Sequence, residues 1–408
     1  MSTGRLQVNT FDETVAVPLA NAKISISRSE NPDEIVEELI TNSSGKTDIL
    51  DLETPPVEYS LSPDSPKPYA EYDATINQEG FEPTVIKGIQ ILPNSLASQN
   101  VFMNKVAENN NSSNNFSIPY HTLYGEYPPK ISEDSVKELP KPSGLVVLGE
   151  VVIPEYIVVH DGDPNDNNAP DYWIPYQDYI KNVASSEIYA TWPEESIKAN
   201  VLTIISFTLN RVYTEWYRSR GKNFTITSST AYDQKFVYQR NFFQEISNVV
   251  DDIFSTFITK PQINQPLFTQ YCDGKNVTCP GWLSQWGSKD LAEDGLDYIS
   301  ILRSFYGSEI YLDNANKVTG VPISFPGQTL QVGSTGDDVR TIQRQLNSIS
   351  NNYPAINKIA VDGNYGQNTL DAVKSFQSIF DLPQTGEVDY KTWYEISKVY
   401  TAVMRLSN

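Results

Sequence analysis

The chain has 408 residues, 39% of them hydrophobic, and 51 acidic against 30 basic side chains leave a net charge of −21. That length allows two or three domains with cores of their own, while the acidic balance excludes the usual nucleic-acid and anionic-membrane binders and no apolar run is long enough for a membrane span. Two histidines, His121 and His160, and two cysteines, Cys272 and Cys279, would all have to converge to make a four-ligand zinc site, and neither histidine lies near a nucleophile-elbow motif, so carboxylate chemistry is what remains.

The first seventeen residues lack the basic start and apolar stretch of a secretory signal, so the chain is expected to stay in its cytoplasm or to leave by lysis or engulfment. Residues 1–104 read as all-β. Alternating segments such as Lys23-Ile24-Ser25-Ile26-Ser27 and Glu58-Tyr59-Ser60-Leu61 are parted by turn clusters, notably Thr41-Asn42-Ser43-Ser44-Gly45. The pattern resembles the small transthyretin-like or carboxypeptidase-regulatory sandwiches, which implies a structural or inhibitory module.

Residues 105–150 read as a linker. The polar tract Glu108 to Asn115 has nothing to bury and is expected as a flexible loop, and Pro128-Pro129 and Pro140-Lys141-Pro142-Ser143-Gly144 punctuate the remainder of the stretch. With Lys130, Lys137 and Lys141, it is expected to be exposed and open to proteolysis.

From 151 to 320 the pattern is mixed α/β. Residues 151–160 form a buried-strand signal that ends at His160, followed by an acidic, Asn-rich loop over 161–171. A helix is expected over 194–220: Ile197, Val201, Ile204, Ile205, Leu209, Val212 and Trp216 recur at steps of three and four, Pro193 and Glu194-Glu195 open it, and Gly221 stops it. Further helices are expected over about 240–259 and 288–306, with strand and turn between the first two. Cys272 and Cys279 flank a short polar turn that suits a small disulfide loop; two separate buried thiols are the alternative.

Residues 329–408 show three short helices with tight Gly turns. Val339, Ile342 and Leu346 follow Asp337 or Asp338 as cap, Leu370, Val373 and Phe376 follow Asn368, and Asp389 caps the third. Leu330, Gly333, Gly336, Gln343, Asp362-Gly363, Tyr365-Gly366, Thr369, Phe376-Gln377, Gly386, Val388 and Thr392-Trp393 give the segment the look of the three-helix peptidoglycan-binding domains of bacteria. The resemblance implies binding of wall glycan or stem peptide. The fold class expected for the whole chain is therefore multidomain α+β: an N-terminal β-sandwich, a central mixed α/β catalytic domain and a C-terminal three-helix bundle.

The central segment resembles the catalytic domain of stage II sporulation protein D, a family of lytic transglycosylases. Glu187, Trp192-Pro193 and Ile197-Lys198-Ala199-Asn200 stand at the family's spacing, Gln234 to Tyr238 match its Gln-Val-Tyr segment with one extra residue, and Leu283-Ser284-Gln285-Trp286-Gly287-Ser288 match its Met-Ser-Gln-Trp-Gly-Ala signature. The family's Gly-His-Gly is replaced by Cys279-Pro280-Gly281-Trp282. The two cysteines also lack the neighbouring histidine with which some members hold zinc, so no metal and no cofactor are expected. The resemblance implies Glu187 as catalytic acid, with Gln234, Ser284, Gln285 and Trp286 binding substrate; Asp233 is a second-carboxylate candidate.

The whole layout is similar to the germination-specific spore cortex-lytic enzymes of anaerobic spore-formers. It implies a precursor stored in the bacterial spore, in the cortex or outer layers. Cortex peptidoglycan would be its substrate and a subtilisin-like germination protease its activator, cutting between about 125 and 150 so that the sandwich leaves the Glu187 cleft. Hydrolytic glycosidases generally need two carboxyl groups. A lytic transglycosylase needs one: the acid protonates the glycosidic oxygen between N-acetylmuramic acid and N-acetylglucosamine, and its anion then takes the proton of the muramic C6 hydroxyl as a 1,6-anhydro ring closes. That carboxyl must start protonated, so its pKa must be raised by its surroundings. A two-carboxylate peptidoglycan hydrolase and a non-enzymatic wall-binding spore protein are the alternatives.

Overall fold

The computed structural model describes residues 2–12, 17–106, 113–139, 150–315, 317–319 and 325–406, without the side chains of 405 and 406. The N-terminal sandwich holds strands β1 (Ser2–Asp12), β2 (Lys23–Arg28), β3 (Asn31–Ile40), β4 (Leu50–Thr54), β5 (Ala70–Asn77), β6 (Thr84–Ile91), β7 (Leu96–Met103) and β8 (Asn114–Ser117). One sheet runs β3-β2-β5-β6-β8; in the other, β1 pairs antiparallel with β4 and parallel with β7. Alternation decides what faces inward: Leu6, Val8, Ile24, Ile26, Ile76, Ile86, Ala97 and Val101 are buried between the sheets. Asn114 to Ser117 correct the loop expected over 108–115, because they pair with β6 and Phe116 packs edge-on against Tyr238. Pairing here outweighs a polar composition; Glu108 to Ser112 lie outside the described residues.

The central domain carries β9 (Val152–Ile153), β10 (Tyr156–His160) and β11 (Asp171–Pro175), helix α1 (Tyr176–Glu187), helix α2 (Glu194–Tyr213), β12 (Ile226–Thr227), β13 (Phe242–Phe243), α3 (Gln244–Ile253), β14 (Thr256–Thr259), β15 (Tyr271–Cys272), β16 (Leu283–Ser284), α4 (Gln285–Glu293), α5 (Tyr298–Tyr306), β17 (Tyr311–Asn314) and β18 (Lys317–Val318). Helix α2 is its axis, packed by α1, α3, α4, α5 and β14 and buried on nearly every side. Ser196, Asn200, Thr203, Ser206, Thr208 and Asn210 lie along α2, and each makes a hydrogen bond despite its burial. The helix ends at Tyr213, seven residues before the expected stop at 220, where Glu215 turns left-handed at φ 45°; Gly221, at φ 79°, closes only a short 3-10 turn. The helix expected over 240–259 divides into β13, α3 and β14. The one expected over 288–306 divides into α4 and α5 at Gly295, where Asp297 caps the Ser300 amide at 2.7 Å. Helix α1 had no counterpart among the expected elements.

β13 leaves the central domain and pairs with β7, so the sandwich sheet reads β13-β7-β1-β4. Beside it the Asn241 side chain exchanges two hydrogen bonds with the Gln90 backbone, at 3.2 and 3.0 Å.

The C-terminal bundle holds α6 (Asp337–Ile349), α7 (Gln367–Ile379) and α8 (Tyr390–Leu406) around Leu330, Val339, Ile342, Leu346, Val373, Phe376, Val388 and Trp393. A device repeats inside it. Gln343 Oε1 accepts from the Gly363 amide at 2.9 Å and Gln377 Oε1 from the Gly386 amide at 2.8 Å, each glutamine pinning a glycine turn to a helix. Gly336 and Gly366, rather than the expected Asp337 or Asp338 and Asn368, occupy the caps; Asp389 caps Thr392 as expected. The bundle is docked on the other domains: Phe254 packs between Tyr390 and Tyr394, Lys398 meets Asp178 at 3.1 Å, and Lys46 of the sandwich meets Asp381 at 2.6 Å.

Candidate active site

Glu187 is the last residue of α1, next to the negative end of that helix dipole and on the floor of a cleft of about 880 Å³. One wall of the cleft is the strap Thr122 to Lys130, and the other is the loop Cys272 to Thr278. The sandwich reaches only the rim, with Pro63, Asp64 and Ser65. The expected cover of the cleft by the sandwich is thus confined to one loop tip, clasped by Lys275 against Asp64 at 2.8 Å. Trp192, after Glu187, donates its indole N–H to the Ser60 carbonyl at 2.9 Å and steadies the same loop.

The Glu187 side chain is 2% exposed, and both oxygens are engaged. Oε1 accepts from the Lys235 amide at 2.7 Å, and Oε2 accepts from the Tyr271 hydroxyl. Burial raises its pKa above the usual carboxylate range; Lys130 opposes this most strongly, followed by the hydrogen bonds of Tyr271 and Lys235. Burial prevails, which is the condition a general acid needs.

Gln285 donates its amide to the Glu187 carbonyl at 3.0 Å and lines the cleft, so it belongs to this site. Gln234, expected to meet substrate, has no exposed surface. Its Oε1 accepts from Tyr179 at 3.0 Å and Thr208 at 2.8 Å, and its side chain also bonds Tyr271, so it braces the tyrosine behind the carboxyl. Ser284 caps α4 by accepting from the Gly287 amide at 2.9 Å. A Cβ on Gly274 would lie 1.8 Å from Ser284 Oγ, so the disulfide loop approaches this serine too closely for any side chain there. Trp286 is 5% exposed and packs on Trp192 with ring centres 5.0 Å apart. Of the expected substrate contacts, Gln234 and Trp286 are thus buried, and the Ser284 hydroxyl is engaged as a helix cap.

Asp233 is fully buried away from the cleft, holding Arg211 at 2.7 Å, Tyr217 at 2.6 Å and the Thr227 amide at 2.9 Å. Asp64, Glu126 and Asp273 are the other carboxylates of the cleft lining. Asp273 accepts from three amides of its own loop, at 2.9 to 3.2 Å, and Asp64 pairs with Lys275. Cys272 and Cys279 form a disulfide across that loop, Cα atoms 5.7 Å apart.

The strap itself is a correction to the expected linker. Residues 118–139 are bound on both sides: the His121 amide donates to the Tyr69 hydroxyl at 3.1 Å, Thr122 donates to the Ser186 carbonyl at 3.1 Å, and the Ile131 amide donates to Ala231 at 2.7 Å. Glu133 takes a two-pronged pair from buried Arg211 at 2.7 and 3.1 Å and a third bond from Lys137 at 2.9 Å. Lys130 is half-buried and donates to the Asp233 carbonyl, its ammonium 4.6 Å from the Tyr271 ring centre. Lys130 and Lys137 are therefore not exposed cutting sites; Lys141 lies outside the described residues. Lys130, Tyr271 and the Lys235 amide were not foreseen as site residues. No spacing signals them, because they reach Glu187 from three distant stretches of chain.

His160 has both ring nitrogens engaged, with Asp171 at 2.7 Å and the Asp166 carbonyl at 2.9 Å, and stacks on Phe224. Among the described residues no group of three His, Cys, Asp or Glu could hold a metal ion, and no helix is long and apolar enough to cross a membrane.

The family model described as a peptidoglycan binding domain matches residues 335–396, so the chain carries such a domain at its C-terminal end. No curated protein matches the chain. Among solved structures, the N-terminal domain of SleB is 32% identical over 19% of this chain and 99% of its own, with a TM-score of 0.17. The Bacillus anthracis TIE protein is 19% identical over 26% of this chain and 17% of its own, at 0.19. The 5-hydroxyisourate hydrolase of Klebsiella pneumoniae is 15% identical over 25% of this chain and 86% of its own, at 0.17.

Proposed function

We propose that the chain cuts the glycan strands of peptidoglycan as a lytic transglycosylase, with Glu187 as its single acid and base. The observation that carries this is a carboxyl with its pKa raised by burial, held by Tyr271 and Lys235 on the floor of a cleft large enough for several sugar rings. Glu187 protonates the glycosidic oxygen as its bond to muramic C1 breaks and the N-acetylglucosamine leaves as an alcohol; the resulting carboxylate takes the proton of the muramic C6 hydroxyl as O6 bonds C1 and closes the anhydro ring. The peptidoglycan-binding domain supplies the substrate class.

The spore setting rests on resemblance: the order of sandwich, catalytic domain and binding bundle is similar to that of the cortex-lytic enzyme SleC, which implies a precursor and an activating subtilisin-like protease. Residues 130–139 of the expected cutting window are tied into the central domain, and cutting there needs local unfolding. The proposed cut therefore falls at 125–129 or at 140–150.

A two-carboxylate hydrolase is the second reading, favoured by Glu126, which lines the cleft opposite the disulfide loop. Digestion of purified cortex peptidoglycan by intact and protease-treated protein, with product masses, tests all three readings. Anhydromuramic ends support the transglycosylase, reducing ends the hydrolase, and binding without released fragments a wall-binding structural protein.

A further inference from the structure

A second cavity, of about 280 Å³, opens where the central domain meets the sandwich, and it shares no lining residue with the Glu187 cleft. One stretch of chain divides the two. The Lys235 amide holds Glu187, while Phe236, Tyr238 and Gln239, next along the chain, line the second cavity. Tyr172 of β11 lies flat against Tyr238, with ring centres 4.1 Å apart and planes within 3° of parallel, and Phe116 of β8 braces Tyr238 edge-on. Beside this pair Trp173 lines the same cavity at 67% exposure, alone exposed among the chain's six tryptophans.

Two of these features cost stability. Trp173 leaves a large apolar ring in water. Gln239, though not a glycine, holds a left-handed backbone at φ 64°, and its side-chain oxygen is buried with no hydrogen-bond partner among the described residues. The Gln239 carbonyl accepts from the Gln99 side chain of the sandwich at 2.8 Å, which fixes the residue in this conformation. Backbone strain and an unsatisfied acceptor, gathered against an aromatic cavity, are the marks of a binding site.

We propose that this cavity is a second glycan site, which takes one sugar ring of a peptidoglycan strand against Trp173 and the Tyr172–Tyr238 pair. The proposal goes beyond the cutting reaction. It rests on the substrate class that the C-terminal domain supplies and stands whichever carboxyl acts as the acid. An N-acetylated sugar ring has apolar C–H faces and a rim of hydroxyl and amide donors. Flat aromatic walls suit the faces, and the amides of Asn100 and Gln239 and the carboxylate of Asp171, all in the lining, suit the rim. An apolar peptide side chain would fill the walls and leave the Gln239 oxygen unpaired, so the donors of a sugar fit this cavity better.

The test uses the intact chain carrying Glu187→Gln, so that strands are not consumed, with nitrogen-15 in its tryptophans. The Trp173 indole N–H signal is assigned by its loss in Trp173→Phe, and peptide-free glycan strands of peptidoglycan are titrated in. The expected result is a saturable shift of the Trp173 signal. Tyr238→Ala should raise its midpoint at least about fivefold, while Tyr238→Phe, which keeps the stacked ring, should leave it in place. The other five indole signals report whether each variant is folded. A Trp173 signal unmoved up to about 1 mM strand overturns the site. So does a midpoint unchanged in folded Tyr238→Ala, or a signal that moves with free stem peptide in place of glycan. If the Glu187→Gln protein still shortens the strands, the assignment of Glu187 fails, and the Trp173 titration decides this site all the same.

Discussion

The hydroxyl of Tyr271 donates to Oε2 of Glu187, while the Lys235 amide holds the opposite oxygen at 2.7 Å. Both bonds favour the charged carboxylate, and burial favours the neutral acid. The site is a contest between these terms, which makes its pH behaviour open to measurement.

Glu187→Gln should abolish glycan cleavage at nearly constant volume, with a loss on the order of 10²–10⁴ for removal of a general acid. Product release from sacculi measures it. Turnover within about tenfold of wild type would remove Glu187 from the mechanism.

The same variant should change stability with a definite sign. The folded pKa of Glu187 is raised above its ordinary 4.5, so the folded state binds this proton more tightly than the unfolded state. Its contribution to stability is complete below about pH 4.5 and is lost as pH rises through the raised folded value. Glu187→Gln should therefore melt above wild type near pH 7, with the gap closing toward pH 4. Thermal melts at the two pH values decide it.

Tyr271→Phe removes the donor to Oε2 and keeps the ring. The Glu187 pKa should rise by about one unit, the size of a hydrogen bond to a charged group. Because the acid must be protonated, the alkaline limb of the cleavage profile should move up by the same amount. A purely structural tyrosine would lower activity and leave the limb in place.

Thiol labelling without reductant should find neither Cys272 nor Cys279 free. Replacing both by Ser should cost about 2 kcal/mol in denaturant melts, the scale expected for so short a loop. It should also weaken the cleft wall that runs from Cys272 to Thr278.

Removing residues 329–408 should weaken binding to insoluble peptidoglycan more than it slows cleavage of short soluble glycans. It should also lower the melting temperature of what remains, because Phe254 loses its cover from Tyr390 and Tyr394. Pull-down on sacculi and a thermal melt separate the two effects.

Much of the architecture was legible in the residues. Alternation over Lys23 to Ser27 marks strand β2, and the glycine turns around Gly363 and Gly386 mark the bundle, since both signals are local; Glu58 to Leu61, read as alternating strand, instead form a 3-10 turn and its cap. The helix ends were not. Trp216 keeps the apolar period of α2 beyond the point where Glu215 turns the backbone, and Phe254 and Phe257 continue the period of α3 into a bend and a strand. Glu187 is singled out by the family resemblance that it and Trp192-Pro193 carry, but its partners are not. Tyr271 and Lys235 are brought to it by tertiary packing alone, and Lys130 stood in a stretch whose prolines and lysines suggest open chain. Burial against Arg211 and Tyr271 overrode that composition.

Asp381 receives Lys46 of the sandwich on its side chain and Gln244 of the central domain on its carbonyl, so all three domains meet at one residue of the bundle. The peptidoglycan-binding bundle is thereby seated against the central domain and its cleft instead of trailing on a leash. A protein built this way cannot sweep its cleft over the neighbourhood of its foothold. If the central domain cuts glycan as proposed, each cut would fall at a fixed offset and heading from the point of grip, and the lengths of the glycan pieces would carry the imprint of that offset.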